Sequence, residues 1–100
     1  MHTVSLKLVT IVAEPVLEEQ IVELLHRLGA RGHTVTDSRG AGSRGMRASD
    51  PPGGGIRIEV VVSAEVADRI LGHVAEQYFP NYAVIAFVSS VDDVRGDKYV

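Results

Sequence analysis

The sequence predicts an α+β protein of the ferredoxin-like plan, βαββαβ: a four-stranded antiparallel sheet, two helices on one face, and a long loop between strands 2 and 3. Three observations predict it. Strand-like alternation of apolar residues gives way to helical spacing once in each half of the chain. The halves echo each other at a shift of 49 positions, with Val9 mapping to Ile58, Ile11 to Val60, Leu17 to Val66, Ile21 to Ile70, Leu25 to Val74 and Val35 to Val84. Between them, residues 38–55 hold six glycines, two prolines and almost nothing that could pack.

The elements follow in order. Strand 1 spans Val4 to Val12, where Val4, Leu6 and Leu8 alternate with Ser5 and Lys7 before an apolar run. Helix 1 opens with Pro15 in its first turn, and Glu18 and Glu19 suit the positive end of its dipole. Leu17, Ile21, Leu24, Leu25 and Leu28 form its buried stripe, Arg27 and Arg31 lie near its other end, and Gly29 stops it. His33 to Asp37 reads as strand 2 and Ile56 to Val62 as strand 3. Ser63 is the N-cap of a second helix presenting Val66, Ile70, Leu71 and Val74, which ends at Tyr78-Phe79 against a Pro80-Asn81 turn. Tyr82 to Val88 reads as strand 4, and a polar tail runs from Val91 to Val100.

Composition narrows the function. One hundred residues make one domain, 1–100, and with 45% hydrophobic but only 5% aromatic residues its core must be aliphatic. The absence of cysteine excludes a disulfide framework, a thiolate-zinc site and a thiol nucleophile. A net charge of −3 argues against an obligate nucleic-acid binder or a polybasic membrane binder. The apolar run Tyr82 to Val88 is far shorter than the roughly 18 residues that read as a membrane span. The N-terminus lacks a basic patch followed by an uncharged apolar stretch, so the expectation is a soluble cytoplasmic protein without membrane insertion.

Two helices cover one face of a four-stranded sheet, yet Val60-Val61-Val62 and Ala83 to Val88 are apolar at consecutive positions, hence on both faces. Left bare, the second face would be a sizeable apolar patch. Self-association through the sheet answers this, and a folded-back tail is the alternative.

The long loop carries the chemistry. Arg39, Arg44 and Arg47 lie in it, Arg57 follows it, and Asp50 is its one acid. Gly40-Ala41-Gly42-Ser43-Arg44 can turn successive N–H groups toward one anion, since glycine reaches positive φ without steric cost. Guanidinium groups can then clamp phosphate oxygens through paired hydrogen bonds. A solvated surface loop is the competing reading. No Gly-Lys-Ser/Thr follows the glycines, which disfavours a magnesium-assisted NTPase.

The run Gly32-His33-Thr34-Val35-Thr36-Asp37-Ser38-Arg39-Gly40-Ala41-Gly42-Ser43-Arg44-Gly45 resembles the PII signal-transduction superfamily where its second strand enters the T-loop. Gly42-Ser43-Arg44-Gly45-Met46-Arg47, Ile56-Arg57-Ile58-Glu59 and Tyr78-Phe79-Pro80-Asn81-Tyr82-Ala83 point to the PII-like branch containing SbtB and the carboxysome-associated PII-like proteins. The resemblance implies a non-enzymatic homotrimer with an adenine nucleotide (AMP or ADP, or else ATP or cyclic AMP) as regulatory ligand in each intersubunit cleft and no required cofactor. It implies a T-loop, here residues 38–55, that presents the ligand state to a membrane transporter or carbon-fixation protein, as in bicarbonate uptake or the carboxysome. Residue by residue, it implies backbone contacts from Gly40, Ala41, Gly42 and Ser43 and phosphate contacts from Arg44 and Arg47. Thr34, Gly55, Ile56 and Arg57 would line the pocket, with the backbone of Ala86, Phe87 and Val88 beside the adenine.

The sequence also departs from that superfamily. Phe79-Pro80-Asn81-Tyr82 replaces the Gly-Asp-Gly-Lys turn that clasps nucleotide in typical members, which disfavours triphosphate grip and two-oxoglutarate sensing. The loop has no tyrosine to be nucleotidylated, and the cysteine-bearing extension of some SbtB proteins is missing. Ser38, Ser43 and Ser49 remain open to phosphorylation.

Other sites are weaker. His2, His26, His33 and His73 lack metal-ligand spacing, so no metal is expected; His33 lies nearest the cleft. Glu14, Glu18, Glu19 and Glu23 read as a solvated helix face, and Arg95 and Lys98 could reach a neighbouring subunit's ligand. There is no Gly-x-Ser-x-Gly elbow. Ala13-Glu14-Pro15 stands where an acylphosphatase would need a phosphate loop, and strand 3 has no aromatic for stacking RNA bases. An ACT-like amino-acid-binding regulatory domain is the alternative, although it needs no arginine-bearing loop.

Overall fold

The computed structural model describes residues 2–40 and 54–95. The chain runs β1 (Val4–Ala13), a 3-10 turn (Pro15–Leu17), α1 (Glu18–Arg27), β2 (Thr34–Ser38), β3 (Gly55–Val62), α2 (Ala64–Gln77) and β4 (Ile85–Asp93). The sheet order is β2-β3-β1-β4, and every neighbouring pair is antiparallel. This is the expected βαββαβ fold.

Registration sorts the side chains by face, because directly opposite residues share a face of the pleat. Val9 pairs with Val60 and Val88, and Ile11 pairs with Ile58 and Ala86. Val9, Ile11, Ala13, Ile56, Ile58, Val60 and Val62 form the sheet's contribution to one core, with Ala86 packed against its margin and Val88 left exposed. Leu17, Ile21, Leu24 and Leu25 of the first helical segment and Ala67, Ile70 and Val74 of α2 close it. The echo between the halves is therefore an echo of burial. Ile21 and Ile70 are both fully buried, as are Leu25 and Val74, and Val35 and Val84 both pack on the core from its margin.

The helix ends follow local chemistry. Ser63 has extended backbone (φ −69°, ψ 163°), and its Oγ accepts from the Val66 N–H at 3.3 Å. Gly29 ends α1 at φ +123°, while the Leu28 and Ala30 N–H groups bond back to Leu24 and Leu25 at 3.0 Å each. A Cβ at Gly29 would lie 3.1 Å from Val66 Cγ2. Gly29→Ala is therefore expected to lose about 1–3 kcal/mol of stability in denaturant titration, chiefly from the backbone angle. Trimming Val66 to alanine as well will not restore that loss.

Beyond shifts of one or two residues at other ends (β1 runs on to Ala13, β2 is Thr34–Ser38 and β3 begins at Gly55), three boundaries differ from expectation. The α-helix begins at Glu18, because the first turn closes more tightly, with Leu17 N–H bonding to Glu14 O at 3.0 Å. The fourth strand starts at Ile85, not Tyr82: the Asn81 and Tyr82 N–H groups both bond back to Tyr78 O, at 3.2 and 2.8 Å, and hold the chain in a turn. It also continues to Asp93, three residues into the segment read as tail. There β1 supplies partners, with Lys7 Nζ donating to Ser90 Oγ at 2.8 Å and Ser5 Oγ donating to Asp92 Oδ1 at 3.4 Å. The rest of the tail read as an alternative cover for the sheet, residues 96–100, lies outside the described residues.

The face away from the helices carries Leu8, Thr10 and Val12 of β1, Arg57, Glu59 and Val61 of β3, and Ile85 and Phe87 of β4. Ile85 is 54% exposed and Phe87 44%. The Arg57 side chain crosses over β1 to place its guanidinium 5.9 Å from the Phe87 ring centre, and its Nε lies 3.6 Å from Glu59 Oε2. Thr10 lies between the strands that bear these groups; it is fully buried, and its hydroxyl has no hydrogen-bond partner.

Candidate functional site

Antiparallel pairing brings one group of expected site residues together at the β2–β3 side. Thr34 is exposed and faces Glu59; Ser38 faces Gly55 where the two strands open toward the loop. Gly55 is tightly placed, since a Cβ there would meet Ser38 Oγ at 3.1 Å and Ala13 O at 3.5 Å. Ile56 turns its side chain into the core at 2% exposure, leaving only backbone for a ligand. Arg57 emerges on the open face. Gly40 is exposed at the start of the loop. Ala41, Gly42, Ser43, Arg44 and Arg47 lie outside the described residues.

The second group lies on β4. Ala86 and Val88 turn toward the helix side, opposite Ile11 and Val9, while Phe87 faces away from it opposite Thr10. In the order β2-β3-β1-β4, β2 and β4 are the two sheet edges. Three strand spacings separate them, about 14 Å. One chain therefore does not bring Thr34 and the β4 backbone together; the Arg57–Phe87 stack alone spans part of that gap, over β1.

Glu59 is the group that sequence reasoning omitted. It stands directly across from Thr34 on the same face, half-buried, with two acceptor oxygens suited to hydroxyl groups. The signal was the alternation Ile56-Arg57-Ile58-Glu59, which buries the isoleucines and turns Arg57 and Glu59 outward together.

At the loop end of the sheet, the aromatic turn is anchored from beneath. Tyr78 is buried, and its hydroxyl donates to Gln20 Oε1 of α1 at 3.1 Å; its ring centre lies 5.8 Å from that of Tyr82. Burial pushes the Tyr78 phenol above its ordinary value, Tyr82 adds to this, and Arg27 opposes it. Phe79 and Tyr82 remain exposed. Among the described residues, no three His, Asp or Glu side chains are grouped to hold a metal, and no helix is long and apolar enough to cross a membrane.

Known proteins give a consistent answer. The sequence model of nitrogen regulatory protein P-II matches residues 6–98. A PII-like signalling protein of Thermus thermophilus, solved as a crystal structure, is 59% identical, with 100% of each chain covered and a TM-score of 0.87. CPII of Thiomonas intermedia K12, solved with ADP, AMP and acetate, is 25% identical over 99% of this chain and 98% of its own, with a TM-score of 0.86. The same protein solved with ADP and bicarbonate gives 26% identity, the same coverage and a TM-score of 0.85. With its strand order, its two helices on one face and its nearly complete sequence match agreeing, the chain belongs to the nitrogen regulatory protein P-II family.

Proposed function

We propose that this protein is a non-enzymatic signalling protein that binds an adenine nucleotide between subunits and acts on a partner through residues 38–55. The observation that carries the reading is the division of the expected contacts between the β2–β3 side of the sheet and its opposite edge strand β4, combined with end-to-end similarity to a protein solved with ADP and AMP. In this reading Thr34, Glu59 and the Gly55–Arg57 backbone come from one subunit. The backbone of Ala86, Phe87 and Val88 comes from its neighbour in a homotrimer. Glu59 accepts from ribose hydroxyls, and Arg44 and Arg47 neutralise the phosphates. Ligand charge then sets the order of the loop, a recognised switching device.

A thermal-shift series with AMP, ADP, ATP, cyclic AMP and a panel of amino acids tests the reading. Stabilisation by adenylates supports it, whereas stabilisation by an amino acid alone supports an ACT-like regulator. Bicarbonate belongs in the same series, because CPII has been solved with it beside ADP. The partner is proposed to be a bicarbonate transporter or a carbon-fixation component. A pull-down that recovers neither under any nucleotide condition overturns that part.

Assembly has its own test. Phe87 is 44% exposed on the open face, so Phe87→Glu adds charge where the lone chain can solvate it. The expected result is a shift in light scattering from trimer to monomer at micromolar concentration, with the helical circular dichroism retained. A trimer unchanged by the substitution removes the open face from the interface.

A further inference from the structure

We propose that His26 and His33 form a proton-operated clasp between the end of α1 and the start of β2, opening when both rings are charged. His26 sits in the last turn of α1, and His33 immediately precedes Thr34, the first residue of β2. Their rings meet edge to face at 77°, with centres 5.0 Å apart. His26 Nε2 lies 2.8 Å from His33 Nδ1, and His26 Nδ1 lies 2.9 Å from Ala30 O.

The carbonyl fixes the protons. Ala30 O can only accept, so His26 Nδ1 must carry a hydrogen. When both rings are neutral, His26 Nε2 keeps its lone pair and His33 Nδ1–H donates to it. When one proton is added, His26 Nε2–H donates instead, to a lone pair on His33 Nδ1. Either way one hydrogen stands between the nitrogens. A second added proton leaves two N–H groups and two positive charges facing each other, and the bond cannot form.

The surrounding charges are divided. Glu18 and Glu19 line one open groove with His33, alongside Pro15, Val16 and Val22. Glu23 and Arg27 flank His26 on α1, Arg31 lies in the connection, and Glu59 on β3 faces the neighbouring Thr34. Within the described residues the one ion pair is Arg57–Glu59, so neither imidazole is tied to a carboxylate that would hold its charge. The closed pair holds one hydrogen between the rings and excludes the doubly protonated state, so acid favours release of the clasp. Its release frees the start of β2, including Thr34 on the edge and Val35 on the core margin. The effect on nucleotide affinity rests on the function proposed above; the clasp itself does not.

Imidazole nitrogen NMR on the full chain tests the clasp first. At pH 8 His26 is expected as the Nδ1–H tautomer. On acidification to pH 5, the amides of Thr34 and Val35 should move with the histidine signals, a coupling that His33→Ala abolishes. An Nε2–H tautomer at His26, or amides that ignore the titration, overturns the proposal. Calorimetry with ADP then reads the consequence: a loss of affinity between pH 7.5 and 5.5 at least threefold greater in the native chain than in His33→Ala. The variant cancels protonation of ADP itself, and equal losses overturn the link to β2. Failure of ADP to bind at any pH overturns the nucleotide reading instead, and the NMR result still decides the clasp.

Discussion

Replacing Arg44 and Arg47 together with alanine is expected to weaken ADP binding by roughly a hundredfold to ten-thousandfold. Each charge-assisted hydrogen-bonded contact is worth about 1.5–3 kcal/mol, and each 1.4 kcal/mol is a factor of ten. Arg57 is expected to matter less. Its guanidinium is already engaged with the Phe87 ring and its Nε with Glu59, so ligand phosphate would gain only the difference. Calorimetry with AMP and ADP on the double variant, with Arg57→Ala as comparison, reads both effects. Unchanged affinity in the double variant would show that the loop arginines do not hold phosphate, whatever else binds.

Truncating Ile58 to alanine should produce the largest loss of stability. Ile58 is fully buried in β3, opposite Ile11 and Val35, where the sheet meets the helices. Such a truncation removes transfer energy and leaves a cavity, costing about 2–5 kcal/mol. That is a large part of the roughly 5–15 kcal/mol that holds a domain folded. For a domain of this size it corresponds to a fall of about 10–30 °C in Tm. Ile85→Ala, on the exposed face, is the internal control and should lower the Tm of the dissociated chain by no more than a few degrees. A loss below about 1 kcal/mol at Ile58 would show that the core is not organised around the β3–β1 register.

Most of the fold was legible because its signals are local and repeated. Ile21-Leu24-Leu25 and Ile70-Val74 keep helical spacing, Gly29 and Ser63 mark real caps, and the 49-residue echo pairs residues of like burial apart from Leu17 and Val66. The fourth strand was displaced at its start by a local turn and at its end by a nonlocal pairing. Tyr82-Ala83-Val84 look strand-like, but hydrogen bonds to Tyr78 O hold Asn81 and Tyr82 in a turn. Val91 to Asp93 look like tail, but β1 extends far enough to pair with them. Continuous apolar runs also hid which side each residue faces. Only the register shows that Phe87 shares its face with Arg57 and that Val88 does not. The candidate site was legible as residue types. It was not legible as geometry, because Glu59 becomes visible only across from Thr34, and the two edge groups belong together only if another chain is present.

That separation of Thr34 from Phe87, on opposite margins of a single sheet, has a thermodynamic consequence for a shared pocket. A ligand that needs both margins has no complete receptor on an isolated chain, so occupancy and association become linked equilibria. Such a ligand raises the association constant by the same factor by which association raises its own affinity. Dilution therefore lowers occupancy of such a sensor at a fixed ligand concentration, and its dose–response curve depends on how many copies of itself the solution contains.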